Sequence, residues 1–231
     1  MRYSGLQGVV VIAAVAVALT GCAPAIRSAE PIHSATSSAT PTASPRPSKP
    51  TLAQLTVFPD GLGYLVPGQP VPNEPAATEI VAFDPTNCVS PGGVAAGSPG
   101  AGAWIPNYPD GASSLGIMQP FDVGPVDDAS TPIYQVEIWS PELKTAKHIG
   151  VGSTVAQLTA AYGAELTVDR ADNSDVYVLA GTGSELLFEV AKDASGLPAE
   201  WIGTVVWMRI VPLDMTYLHI ANTDVAGPCS M

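Results

Sequence analysis

Positive charge is scarce in this sequence. Nine Lys and Arg residues stand against 21 Asp and Glu in 231 positions, for a formal net charge of −12. A chain so poor in cations has no basic surface with which to replace phosphate counterions, so no nucleic-acid partner is expected. Aromatic residues make up 6% and charged residues 13%. The hydrophobic share is nevertheless 46%, too high for a wholly disordered chain. Only three cysteines occur, which excludes a dense disulfide scaffold. The uncharged, proline-free run near the start, Val9 to Leu19, is 11 residues long. A spanning helix needs roughly 20 apolar residues, so this run is too short to remain as one. A G-x-S-x-G elbow, a Walker loop and a dinucleotide fingerprint are all missing, as is S-x-x-K before a helix.

What the N-terminus does contain has the layout of an export signal. Arg2 gives a positive start, and the apolar run follows. It ends in Leu19-Thr20-Gly21-Cys22, which resembles the lipobox of bacterial lipoproteins: an aliphatic residue, two small residues, then cysteine. The resemblance implies cleavage just before Cys22 and attachment of a diacylglyceryl group to its sulfur. Each buried methylene adds about 0.8 kcal/mol, so two acyl chains hold a protein where one does not. The expectation is a signal peptide over 1–21 and a protein lipid-anchored at the extracytoplasmic face of the cell membrane. An ordinary signal peptide with a chance cysteine is the other reading.

Residues 23–50 are rich in Ser, Thr, Ala and Pro and have no hydrophobic period. Such a stretch cannot bury a core and is read, with Cys22, as a disordered tether over 22–50. As a coil, its 28 residues span roughly 30 Å. In polyproline form they reach on the order of 85 Å. The tether is read as a spacer, and its Ser/Thr density permits O-glycosylation.

Residues 51–231 are read as a single acidic α+β domain with 5 basic and 20 acidic side chains. Residues 59–132 hold 13 prolines and 11 glycines, whereas 133–231 hold 4 and 8. The first part is expected to be loop-rich and the second to carry most regular structure. Ile133 to Trp139 alternates with Tyr134, Val136 and Ile138 on one face. His148 to Gly152 is strand-like. Thr154 and Gln157 form a T-x-x-Q capping box; Val155, Leu158 and Tyr162 follow at helical spacing before Gly163. Val176–Ala180 and Glu185–Ala191 read as a hairpin across Gly181 to Ser184. Gly203–Val211 reads as a central strand ended by Pro212, and Met215–Ala221 as a last strand. In the first part, Leu62 to Gly68 precedes a helix candidate capped by Asn73, with Ala76–Phe83 as its body. A glycine-ended apolar segment thus leads into a helix twice, at Gly68 and Gly152, which suggests sub-repeats over 51–132 and 133–231.

The stretch from Ile149 to Gly163 resembles a unit of actinobacterial secreted lipoproteins. It is also similar to the helix start of BamE/SmpA-like and β-lactamase-inhibitor-protein-like domains. The resemblance covers about 15 residues. It implies an antiparallel sheet with one or two short helices, in some cases as tandem repeats. It assigns no functional residue.

With Cys22 lipidated, Cys88 and Cys229 are an even pair outside the cytoplasm and are expected to form a disulfide; two free thiols are the alternative. His33 lies in the tether, and His148 and His219 are isolated on strand-like segments, so no zinc site and no cofactor is expected. Asp127 and Asp128, with Asp122 nearby, form one acidic cluster. Asp169, Asp172, Asn173 and Asp175 form another, whose oxygens could suit calcium. Its spacing is not that of a calcium loop, Arg170 sits inside it, and a solvated turn is the preferred reading. Of Trp104, Trp139, Trp201 and Trp207, two alternate with polar neighbours. Trp139 and Trp207 are therefore candidates for stacking on a glycan or anchoring a protein partner. Packing under the glycine-rich loops is the competing reading. The sequence thus points to a membrane-anchored, non-catalytic interaction domain in the cell envelope. Two rivals stand beside it: a cell-wall hydrolase or transferase whose carboxylates meet only in the fold, and a structural or inhibitory module.

Overall fold

The T-x-x-Q box starts the longer helix as its chemistry requires. In the computed structural model, Thr154 Oγ1 accepts the Gln157 amide at 3.3 Å, and Gln157 Oε1 accepts the Thr154 amide at 2.8 Å. The model describes residues 49–111, 119–213, 215–216 and 229. Contacts divide the chain into Met1–Ser44 and Pro45–Met231, and every described residue belongs to the second unit. The signal run, Cys22, His33, His219 and most of the tether lie outside the described residues, as do residues 217–221 of the proposed last strand.

In chain order the elements are β1 (Thr56–Phe58), β2 (Gly61–Leu62), α1 (Pro75–Thr78), β3 (Val81–Asp84), β4 (Gly102–Pro106), β5 (Phe121–Val126), β6 (Val136–Ile138), β7 (Lys144–Thr145), α2 (Val155–Tyr162), β8 (Leu166–Arg170), β9 (Ser174–Ala180), β10 (Ser184–Ala191) and β11 (Val205–Pro212). Eight strands form one antiparallel sheet in the order β3-β4-β5-β6-β11-β10-β9-β8. A second, small sheet has the order β2-β1-β7, with β1 and β7 parallel. The large sheet consists of two four-strand meanders whose last strands, β6 and β11, meet at the centre.

A short helix precedes each meander, and the approach to each helix uses the same backbone device. Gly68 donates to Ile133 O at 2.8 Å, and Ile133 donates back to Gln69 O at 2.8 Å. Gly152 donates to Val205 O at 2.7 Å, and Val205 donates back to Ser153 O at 2.8 Å. Both glycines have positive φ, 81° and 85°. A side chain rarely adopts that conformation, which accounts for glycine at both positions.

The main core lies between the sheet and α2 with the β1–β2 hairpin. Leu158 and Tyr162 point from α2 onto it, and Val136, Ile138, Phe188, Met208 and Ile210 meet them from the strands. The opposite face of the sheet is covered as well. Leu197, Trp201 and Ile202 pack on Trp139, Ala191, Val206 and Trp207 there, and Met215 packs beside Val176, Leu187 and Val211. Central strands β5, β6 and β11 are therefore buried on both faces.

Several expectations need correction. The helix expected over Ala76–Phe83 ends at Thr78, and Glu74 rather than Asn73 is its N-cap. Residues 81–84 instead pair with β4 as an edge strand, because sheet pairing outweighs the weak helix preference of a short Ala-rich stretch. The strand expected from Ile133 is regular only over Val136–Ile138. His148 is not in a strand: it is exposed in a turn with φ 61°, and its amide donates to Thr145 O at 2.8 Å. Lys49 and Pro50, read as the end of the tether, contact the folded unit: Tyr108 Oη donates to Pro50 O at 2.9 Å and Lys49 Nζ lies 4.6 Å from the Tyr108 ring centroid. The hairpin of β9 and β10, the strand β11 and helix α2 fall where their sequence patterns place them.

Candidate functional site

The polar residues of the central strands gather on the covered face. Alternation along each strand puts Gln135, Glu137 and Trp139 of β6 and its flanks on one side, away from Val136 and Ile138. The register then sets Asp122 of β5 opposite Glu137, and Glu137 opposite Arg209 of β11. Glu189 of β10 lies one step along, opposite Trp207. All of them are buried; Asp122 is 0% and Glu137 1% exposed.

Each charged group has neighbours that account for its burial. The Trp139 indole donates to Asp122 Oδ2 at 2.7 Å. Gln135 Nε2 donates to Glu137 Oε1 at 3.0 Å. Ser174 Oγ donates to Glu189 Oε1 at 2.7 Å, and Arg209 Nη2 lies 3.8 Å from Glu189 Oε2. The Arg209 guanidinium sits 3.8 Å from the centroid of the Trp207 ring. Trp207 in turn stacks on Trp139 at 4.9 Å with an interplanar angle of 9°. Burial pushes the Asp122 carboxyl up to about 7, and hydrogen bonds from Trp139 and with Glu137 pull it back.

Trp139 and Trp207 were candidates for an exposed contact surface. They are 0% and 2% exposed and form the floor under Trp201, Leu197 and Ile202. The polar alternation that suggested an open face reflects a second interior instead. The Asp122 carboxyl has the raised affinity for protons that acid–base catalysis uses, but the face that carries it is sealed.

The remaining candidates are accounted for by local structure. Asp128 accepts the Ser130 hydroxyl and amide at 2.6 and 2.7 Å, which holds its carboxyl below the usual range. Asp127 accepts the Gly100 amide at 2.7 Å. Asp175 pairs with Arg170 at 2.8 Å and Lys192 at 2.6 Å at the β8–β9 turn. Among the described residues no group of three or more His, Cys, Asp or Glu side chains is placed to hold a metal ion. Cys88 and Cys229 are joined by a disulfide with a Cα–Cα distance of 5.2 Å.

The chain matches no known protein family, no curated protein and no solved structure. The site therefore rests on its geometry alone. No described helix is long and apolar enough to cross a membrane.

Sequence reasoning missed the buried polar cluster, although a signal was present. Glu137, Glu189 and Arg209 each interrupt an apolar strand, in VEIW, LLFEVA and VVWMRIV. Charges of both signs within such runs indicate partners across the sheet. An open groove of about 410 Å³ also went unread; Lys49, Pro50, Leu52, Tyr108, Pro120 and Glu142 are among its lining residues. It lies beside Lys49 and Pro50, the first of the described residues.

Proposed function

We propose that the protein is a lipid-anchored, extracytoplasmic, non-catalytic interaction domain of the cell envelope. The observation that carries this reading is the lipobox, set ahead of a Ser/Thr/Pro-rich stretch that leads to the docked residues Lys49 and Pro50. Cys22 is followed by 26 Ser/Thr/Pro-rich residues, and Lys49 and Pro50 beyond them contact Tyr108 of the folded unit. That spacer gives a coil of roughly 28 Å, or on the order of 80 Å in polyproline form, between membrane and domain. The domain's net negative charge favours contact with neutral or cationic envelope proteins or with glycans over anionic polymers.

The non-catalytic part of the reading draws support from the covered sheet. The strongest acid–base pair, Asp122 and Glu137, has a buried sheet face over it rather than a cleft. This counts against a cell-wall hydrolase built on those carboxylates. The reading also takes the fold as α+β and as a tandem of two units, each a short helix with four strands. The unit boundary falls after β6 rather than at 132/133. The duplicated Gly68 and Gly152 device and the central meeting of β6 with β11 support that arrangement. It is the architecture implied by the resemblance to inhibitor-protein-like domains, so a structural or inhibitory module is kept as a second reading. In that case the partner meets loops and edges, because the sheet face is not open.

Cross-linking of the native protein on intact cells, followed by mass spectrometry, tests the proposal, with Cys22→Ala as the control. Capture of a specific envelope partner by the anchored form alone is expected. Hydrolysis of a cell-wall or ester substrate by the disulfide-intact domain would overturn it.

A further inference from the structure

Asp122 and Glu137 occupy the middle rung of a three-rung ladder, Phe121 with Ile138, Asp122 with Glu137 and Val123 with Val136. This ladder is the pairing that joins β3-β4-β5 to the other five strands of the sheet. Side chains directly opposed across two strands leave the same face, with Cβ atoms about 4.5–5.5 Å apart. Asp122 is fully buried. Its Oδ2 accepts the Trp139 indole N–H, and among the described residues no N–H donor reaches its Oδ1. A buried carboxyl oxygen with no N–H donor, next to a second carboxyl, is a position that a proton satisfies.

The surrounding charges do not balance the pair. Arg209 is opposite Glu137, but it also lies 3.8 Å from Glu189 and over Trp207. Asp175 of β9 is already held by Arg170 and Lys192. Glu185 lies further along β10, where burial raises its carboxyl. The segment over the face contributes Lys192 and the exposed Asp193 and Glu200. β4 offers Ala103 and Ile105 beside Asp122, and neither carries charge.

We propose that Asp122 and Glu137 share one proton, and that losing it loosens the β5–β6 ladder, making this rung a pH-sensitive joint in the sheet. Without the proton, like charges stand directly opposite each other, which destabilises a strand pair. Three carboxylates then face one guanidinium. The folded-state affinity of Asp122 for its proton lies above that of the unfolded chain, with the carboxyl at about 7. The stabilisation is therefore complete below about pH 4 and is lost as pH rises through about 7. The joint works whether or not the chain is lipidated.

The test is amide hydrogen exchange on the full chain, read by mass spectrometry, for wild type, Asp122→Asn and Glu137→Gln. Comparing proteins at the same pH removes the intrinsic pH dependence of exchange. In wild type the opening constant of β5 and β6 amides should rise about tenfold per pH unit between about pH 5 and pH 7, relative to Asp122→Asn. Glu137→Gln gives Asp122 an amide donor in place of a carboxyl, so its step should move to lower pH. If Asp122→Asn does not fold, Glu137→Gln serves as the reference and decides the outcome. Infrared spectra of the wild type should show a buried protonated carboxyl at about pH 6 that disappears by about pH 8. An unchanged step in the folded variants, or no protonated carboxyl in wild type at about pH 6, overturns the proposal.

Discussion

Asp60 ties the β1–β2 hairpin to the β9–β10 turn, and the strength of that tie can be measured. Its Oδ1 accepts amide protons from Thr182 at 2.7 Å, Gly183 at 2.9 Å and Ser184 at 3.2 Å. These partners lie more than 120 residues away in sequence. Hydrogen bonds to a charged group contribute about 1.5–3 kcal/mol each when buried. Asp60 is only half-buried and the turn amides can turn to water, so Asp60→Ala should cost about 1–2 kcal/mol in total. Gly181 provides the control. A Cβ there would collide with Asp60 Oδ1 and sit 2.8 Å from Ser184 O. Gly181→Ala should therefore push the carboxylate off the turn. Adding Asp60→Ala to it should then cost almost nothing more, giving a coupling of about 1–2 kcal/mol. Urea unfolding followed by tryptophan fluorescence measures all four corners of the cycle. The Gly183 amide first, then those of Thr182 and Ser184, hold the Asp60 carboxyl below its usual value against a smaller effect of burial. Its contribution is thus present above about pH 4 and lost as pH falls through the lower folded value, so the cost of Asp60→Ala should shrink in strong acid. Additive costs for the two substitutions, or a cost unchanged in acid, would refute the reasoning.

Three further outcomes follow from the fold. Thr154→Ala removes one half of the capping box of α2 and should lower stability by about 1 kcal/mol in the same unfolding assay. Leu158→Ala empties a fully buried position between α2 and the sheet and should cost about 2–5 kcal/mol, with a lower thermal midpoint by calorimetry. Cys229→Ser opens a link between positions 141 residues apart, whose loop-closure entropy amounts to about 5 kcal/mol at most. A loss of about 2–5 kcal/mol, matched by reduction of the wild type, is expected.

The parts legible in the sequence are those fixed by local chemistry. Thr154 and Gln157 bond to each other's backbone, so four residues suffice to place the helix start. The β9–β10 hairpin is announced by a Gly-rich turn between two apolar runs, and the close of that turn, Gly181 N–H to Ser184 O, is local too. The half-cystines, Cys88 and Cys229, were legible from parity once Cys22 is set apart. β4 and β5 were hidden because GAWIP and FDVGPV carry the Gly and Pro that usually mark loops; they become strands only through pairing with β3, β6 and each other. Val81–Phe83 read as helix for the same reason: its partners, Trp104 to Pro106, lie across a long loop. The candidate site suffered most. Trp139 and Trp207 looked exposed because their neighbours are polar, and nothing local shows that Trp201, Leu197 and Ile202 return to cover them. The carboxyl pair is a product of register, which depends on strand pairing and not on spacing along the chain.

The central claim is that this domain is carried on a lipidated Cys22, and the mass of the mature chain tests it most directly. Intact-protein mass spectrometry of the membrane fraction, with fragmentation of the N-terminal peptide, reads both the cleavage point and the modification. The account predicts a chain beginning at Cys22 whose sulfur carries a diacylglyceryl group, and a Cys22→Ala form that lacks the modification and leaves the membrane fraction. A mature chain beginning elsewhere, or an unmodified Cys22, would contradict it.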